Sequence, residues 1–365
     1  MERIFQCEID ITTGKRLTES RPIWKGSGGR YIESPHMYHF GDWYYLMVAE
    51  GGTEYGHMVT YARSKDPYGP FEAYAQNPVL TNRNLGGNEN HIQGIGHGDL
   101  IETPYGETFM VCLGFRIQSD WMPFHHLGRE VFLVPVTWDK NGWFMAGVDG
   151  TVQTVMDLPL KTSEQKINGR YDVSFETIKN EPQRFCHLRE YHPECYEFTE
   201  NSVTLFGNRF TLNDTESPTF LGVRQSEFDT ELTVSLTGNS PEAGITFYLS
   251  EEHHYDLAVL CKEKKRTLIL RLRIGDAVMT AKEIELPEDA QITLKVVSDA
   301  AQYHFYGIIN EEEILLGSAR TKYLSSEVAG GFTGVVMGMY AVNPNEDQKQ
   351  KAQFTNLYWK QGTDR

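Results

Sequence analysis

No uninterrupted apolar run in this sequence approaches the length of a membrane span. The first residues, Met1-Glu-Arg-Ile-Phe-Gln-Cys7, lack the basic, apolar, small-residue order of a secretion signal, so a cytoplasmic location is expected. Cysteine is scarce: Cys7, Cys112, Cys186, Cys195 and Cys261 are odd in number and irregular in spacing. That argues against a disulfide framework and for a reducing compartment. Positive charge is in short supply, with Lys plus Arg at 34 against Asp plus Glu at 50 and a formal net charge of −16. Such a surface repels phosphate backbones and anionic lipids, so neither nucleic acid nor membrane is an expected partner. Helical periodicity is nearly absent, and Met156 to Leu160 is too short to count as a helix. Gly26-Ser-Gly-Gly29 lacks the strand, helix and lysine of a phosphate loop. Cys186-His187 and His192-Pro-Glu-Cys195 fit no common zinc spacing, and a loop with incidental Cys and His is the expectation. In Glu251-Glu-His-His-Tyr-Asp256 adjacent histidines on a strand face opposite sides, so they do not share an ion.

What the sequence does hold is β-forming texture. Its 365 residues suggest two to three domains, and 12% aromatics with 40% hydrophobics is globular composition. Trp43-Tyr-Tyr-Leu-Met-Val-Ala49, Thr108-Phe-Met-Val-Cys-Leu113 and Glu130-Val-Phe-Leu-Val-Pro-Val136 are strand-length runs. Turn residues precede them, in Phe40-Gly-Asp42, Pro104-Tyr-Gly106 and Lys140-Asn-Gly142. Up to about residue 160 the strand pairs recur at propeller-like spacings of roughly 40–50 residues. Later strands alternate cleanly, as in Glu231-Leu-Thr-Val-Ser-Leu236 and Ala290-Gln-Ile-Thr-Leu-Lys-Val296, and point to a β-sandwich. The fold class is therefore all-β. A partial propeller of about three blades is expected over 1–160, a polar linker over 161–189 and a sandwich over 190–365.

Seven stretches carry a resemblance. They are Arg30-Tyr-Ile-Glu33-Ser-Pro-His-Met-Tyr38 with Gly41-Asp-Trp-Tyr-Tyr-Leu-Met-Val-Ala-Glu-Gly-Gly-Thr53, Gly94-Ile-Gly-His-Gly-Asp-Leu100, His126-Leu-Gly-Arg-Glu-Val-Phe-Leu133, Glu216-Ser-Pro-Thr-Phe-Leu-Gly-Val-Arg224 with Glu251 to Asp256, and Gly331-Phe-Thr-Gly-Val-Val-Met-Gly-Met-Tyr340. Together they resemble glycoside hydrolase family 43, the β-xylosidase and α-L-arabinofuranosidase group. The resemblance implies a five-bladed propeller followed by a concanavalin-like sandwich, and inverting hydrolysis of xylo- or arabino-oligosaccharides derived from hemicellulose. Inversion uses one carboxylic acid to protonate the leaving oxygen and one carboxylate to activate water.

By that resemblance Glu33 is the general acid, against the default of a surface glutamate before a turn. His97 reaches the pocket centre, contacting substrate or a metal- or water-filled axial site, its alternative being a turn histidine between glycines, and Asp99 is structural. Arg129 is the sugar-contacting arginine, against an ordinary strand-edge ion pair. Thr53 lines the same pocket or is a turn threonine, and Phe332 caps the sugar or belongs to a core. No cofactor is required, and the resemblance allows a calcium ion at the propeller axis. The family's base aspartate lies in a first blade ahead of the acid, yet here the acid stands at residue 33. Glu2, Asp10 and Glu19 precede it outside any base motif. The expectation is a chain without its own base, whose remaining blades come from a longer gene product, a second polypeptide or self-association. Its alternative function is a non-catalytic carbohydrate binder or inactive remnant.

Overall fold

Alternation of large apolar residues on short strands builds both halves of the molecule. The computed structural model describes residues 2–86, 91–118, 121–156, 158, 171–263, 265–287, 290–345 and 350–362. The chain forms two units, Met1–Pro123 with Arg129–Ser163, and Phe124–Gly128 with Glu164–Arg365.

The first unit begins with a two-stranded sheet, β1 (Ile4–Gln6) against β2 (Arg21–Trp24). A four-stranded antiparallel sheet follows, β3 (Glu33–Phe40), β4 (Trp43–Glu50), β5 (Met58–Ser64) and β6 (Glu72–Ala73). A second has the order β10 (Phe144–Ala146), β9 (Glu130–Trp138), β8 (Thr108–Arg116), β7 (Ile92–Glu102). The central strand β4 explains how these sheets stack. Its Tyr45 and Met47 point into a core shared with Val59, Tyr61, Met110, Cys112, Val134 and Phe144. Its Leu46 and Val48 point the other way, toward Ile4, Trp24 and Ala62. A strand buried on both faces reads as a continuous apolar run, which is how Trp43–Ala49 reads. Where about three blades are expected from the sequence, the first sheet has only two strands among the described residues.

The second four-stranded sheet carries one face outside that core. Register places Ile101, Phe109 and Pro135 in one cross-strand row, Val111 with Leu133 in the next, and Leu113 with Val131 beyond. Val131 is 76% exposed, Ile101 43% and Leu133 36%.

The second unit is a sandwich. One sheet runs β12 (Tyr196–Phe198), β13 (Ser202–Phe206), β24 (Lys351–Gln361), β15 (Thr230–Gly238), β20 (Ile292–Ser298), β21 (Gln302–Ile309), β22 (Glu312–Arg320), with β11 (Tyr171–Val173) also on β24. The other runs β14 (Thr219–Arg224), β23 (Val336–Val342), β16 (Glu242–Ser250), β17 (His253–Lys262), β18 (Lys265–Ile274), β19 (Ala277–Leu286). Leu232, Val234 and Leu236 of β15 share one core with Ile245 and Phe247 of β16 and Tyr255 and Leu257 of β17. Such facing layers are the ordinary way two sheets bury their apolar sides.

Two segments depart from the expected boundaries. Residues 161–170 of the expected linker lie outside the described residues, but the remainder is built into the sandwich unit. β11 pairs with β24, and helix α1 (Phe175–Asn180) buries Phe175 and Ile178 beside Val173. Ser174 caps α1 reciprocally with Thr177, and those polar caps mask the apolar spacing in the sequence. Phe124–Gly128 also belongs to the sandwich unit although it interrupts the first unit in sequence. Val335 donates its N–H to the His126 carbonyl at 2.9 Å. A side chain at Gly128 (φ +75°) would stand 2.4 Å from the Gly334 nitrogen, so backbone meets backbone there. All five cysteines are free thiols.

Candidate active site

Glu33 opens β3, opposite Ala49 of β4, and the pairing shifts register between Glu33 and His36. Such a bulge re-aims the side chains beside it. Ser34 within it sits at φ 53° and Tyr31 just before it at φ 54°. Left-handed backbone at non-glycine residues costs on the order of 1 kcal/mol or more and persists where the surroundings enforce it.

The enforcing element is Glu50. Its carboxylate is fully buried and accepts N–H bonds from Ser27 (2.7 Å) and Gly29 (2.5 Å) and the Thr60 hydroxyl (2.6 Å). Side chains at Gly26 or Gly29 would come within 2.7 and 2.6 Å of the Glu50 oxygens, which is why the loop before Glu33 is glycine-rich. This is a carboxylate clamp on the chain entering the site, not a phosphate loop.

His97 lies on β7, bracketed by register shifts between Gln93 and Gly96 and between Gly96 and Asp99. It too is left-handed, at φ 51°. Its Nε2 lies 2.6 Å from Ser34 Oγ, so the two bulged strands meet through this contact. Asp99 accepts a hydrogen bond from the Tyr38 hydroxyl, whose oxygen accepts the Leu100 N–H at 2.9 Å, and lies 3.6 Å from His36 Nδ1. Burial and the Asp99 carboxylate push the Tyr38 phenol well above its ordinary value.

Between Glu33 and His97 stands a residue the sequence reading did not single out. His57, immediately before β5, is fully buried. Its Nδ1–H donates to the Gly94 carbonyl at 3.0 Å, and its Nε2 has no hydrogen-bond partner. Burial holds its pKa down at about 4, and the charges of His97 and Arg129 add to the effect, so the ring is neutral at pH 7. A side chain at Gly96 would stand 2.4 Å from the His57 ring. The glycines of Gly94-Ile-Gly-His-Gly98 are thus partly explained by His57, and Gly96 is the signal that would have revealed it.

Glu33, His57 and His97 offer donor atoms that all lie within 4.8 Å of one another, with Glu33 and His97 exposed. Arg129 directly precedes β9 and is half-buried, and its guanidinium acts electrostatically on His57. Thr53 lies in the turn after β4, where no described contact joins it to Glu33. Phe332 belongs to the sandwich unit and is 58% exposed, outside the described cores. The structure therefore gathers Glu33 and His97 around His57, with Arg129 in electrostatic range. The axial calcium meets a poor fit in this group. Calcium takes six to eight oxygen ligands, whereas these residues offer two imidazole nitrogens and one carboxylate.

Comparison with known proteins agrees with this architecture. Residues 2–144 match the model of glycosyl hydrolases family 43, and residues 173–360 match the beta xylosidase C-terminal concanavalin A-like domain. The chain is 35% identical over 361 residues to a non-reducing end alpha-L-arabinofuranosidase, BoGH43B, of Bacteroides ovatus, covering 95% of this chain and 66% of that protein. It is 30% identical to a xylosidase/arabinosidase of Butyrivibrio fibrisolvens, covering 93% of this chain and again 66% of the relative. The chain thus spans just under two thirds of these relatives' length. The solved structure of GH43B from a Bacteroides ovatus xyloglucan locus superposes with a TM-score of 0.87 at 34% identity, covering 100% of this chain and 72% of that one. Xylan beta-1,4-xylosidase from Bacillus halodurans superposes with a TM-score of 0.83 at 26% identity, covering 98% and 70%. With a sandwich model spanning more than half of its residues and a propeller-type model before it, the chain belongs to glycosyl hydrolase family 43 and carries that family's β-xylosidase-type C-terminal domain.

Proposed function

We propose that this chain carries the proton-donating part of an inverting β-xylosidase or α-L-arabinofuranosidase site for hemicellulose-derived oligosaccharides. Glu33 is the general acid in this reading. The observation that supports it best is the Glu33 carboxylate at a bulged strand start, beside a buried neutral imidazole with a bare nitrogen. His97 and Arg129 serve as sugar-facing residues, with Thr53 as a further contact. A planar guanidinium fork suits paired hydroxyls and neighbouring carboxylates.

The water-activating carboxylate is the part we infer to come from elsewhere, either a second polypeptide or further sequence of the same protein. Four acidic residues, Glu2, Glu8, Asp10 and Glu19, precede Glu33, and those with described contacts are engaged nearby. Asp10 accepts from Thr12 and Thr13 within its own turn, Glu19 pairs with Arg16 and Glu2 accepts from the Ile32 N–H. Inversion needs the two carboxyl groups about 6.5–9.5 Å apart, with water between base and sugar. A cytoplasmic enzyme finishing imported short oligosaccharides fits the same reading.

The test is nitrophenol release from nitrophenyl β-D-xyloside and α-L-arabinofuranoside by the chain alone. Turnover should equal that of Glu33→Gln. Robust turnover abolished by Glu33→Gln would show a base within this chain. The second reading, a non-catalytic sugar binder, rests on the same inference that the base comes from elsewhere. Calorimetry with xylose, arabinose and xylobiose addresses it: heat without turnover supports binding, and neither signal points to an inert remnant.

A further inference from the structure

We propose that His57, His97 and Glu33 form a binding site for a divalent transition cation of the zinc class, which takes the same carboxylate assigned above to proton donation. The inference rests on that assignment only for its catalytic consequence.

The geometry argues for a cation in three ways. The donor atoms of the three side chains lie within 4.8 Å of one another. A tetrahedral ion with bonds near 2.1 Å separates its donors by about 3.4 Å. The exposed Glu33 and His97 side chains can close that gap while buried His57 stays fixed. Secondly, His57 Nε2 is buried and has no partner, whereas the other ring nitrogen donates to the Gly94 carbonyl. A histidine oriented by a backbone carbonyl through one nitrogen, with the other bare, is the usual arrangement of a metal-ligating imidazole. Leaving such an acceptor buried and unpaired costs about 1–3 kcal/mol, which a bound ion would remove. Thirdly, His97 is oriented by the Ser34 hydroxyl, whose Oγ lies 2.6 Å from its Nε2.

The donor set selects the ion. Two imidazoles and one carboxylate suit zinc, cobalt, nickel or copper, and not calcium or magnesium, which demand oxygen. Three protein ligands leave a position for water on the exposed side. The Arg129 charge opposes the cation, which limits affinity without altering selectivity. A cation on Glu33 occupies the oxygen that must carry the proton, so the bound ion is an inhibitor.

The experiment is a titration of the full chain with cobalt(II), read by its visible ligand-field absorption, with calorimetry for zinc and calcium. One equivalent of cobalt should give a saturable band that zinc abolishes and excess calcium leaves intact. Glu33→Gln, His57→Gln and His97→Asn should each weaken cobalt binding at least tenfold. His97→Asn guards against a folding artefact, because the residue is exposed and asparagine tolerates its left-handed backbone. Absence of a one-equivalent band overturns the proposal. So does a band that is unchanged in His97→Asn and Glu33→Gln, which would put the ion elsewhere. The band needs no turnover, so its loss leaves the proton-donor reading standing. A band alongside hydrolysis indifferent to Glu33→Gln would do the reverse.

Discussion

Glu50 shows how one buried carboxylate shapes the approach to Glu33. Its oxygens receive two backbone N–H groups and one hydroxyl. Glu50→Gln keeps the volume but turns a donor toward donors, and should cost about 1–3 kcal/mol. A thermal melt should fall by several degrees, and an unchanged midpoint would refute the clamp. Gly96→Ala tests the other side. Its methyl would stand 2.4 Å from a His57 ring tethered to Gly94, so a loss of about 1–3 kcal/mol is expected in denaturant titration. At this scale Glu33 and His97 were legible because flanking residues marked them. His57 was not, because Tyr55-Gly56-His57 reads as a turn until a partner strand brings Gly96 against it.

Among the elements, β16, β17, β18 and β23 of the sandwich share a buried polar network. Asp256 Oδ1 accepts from Thr246 (2.7 Å) and His254 (2.9 Å), and its Oδ2 from Arg271 (2.8 Å). Arg271 reaches on to Glu242, which also accepts from the Tyr340 hydroxyl at 2.7 Å. Burial works to raise the Asp256 pKa, but His254, Arg271 and Thr246 outweigh it and hold it at about 2, against an ordinary 3.8. A depressed carboxylate stabilises the fold fully above its unfolded pKa and loses that contribution as pH falls through the folded one. Roughly 2 kcal/mol should therefore vanish between about pH 4 and pH 2. Urea midpoints should show this loss in the native chain. In Asp256→Asn the acid-dependent step should be absent and stability at pH 7 about 3 kcal/mol lower. A wild-type curve flat over that range would contradict the account. Strand positions here were readable from alternation. The bulges at Ser34 and His97 were not, because register depends on the partner strand.

For the whole molecule, two units of β-sheet follow from aromatic, glycine-punctuated runs giving way to clean alternation. The join was less legible, since Val173, Phe175 and Ile178 lie among polar residues and only packing reveals their direction. The exposed apolar side chains Ile101, Val131 and Leu133 bear on solution behaviour. Exposed apolar patches promote association, so Val131→Thr with Leu133→Lys should lower dye binding and light scattering without lowering the melt. Equal scattering in that variant would show that the face is inert.

The central claim is that position 33 donates a proton within a site completed by carboxylates outside this chain. Its most direct test is xylobiose and arabinofuranoside hydrolysis by this chain joined to the third of BoGH43B that it does not match. Turnover should appear only in the joined protein, and Glu33→Gln should reduce it by about 10²–10⁴-fold. Equal rates with and without the Glu33 carboxylate, or full turnover by the chain alone, would contradict the account.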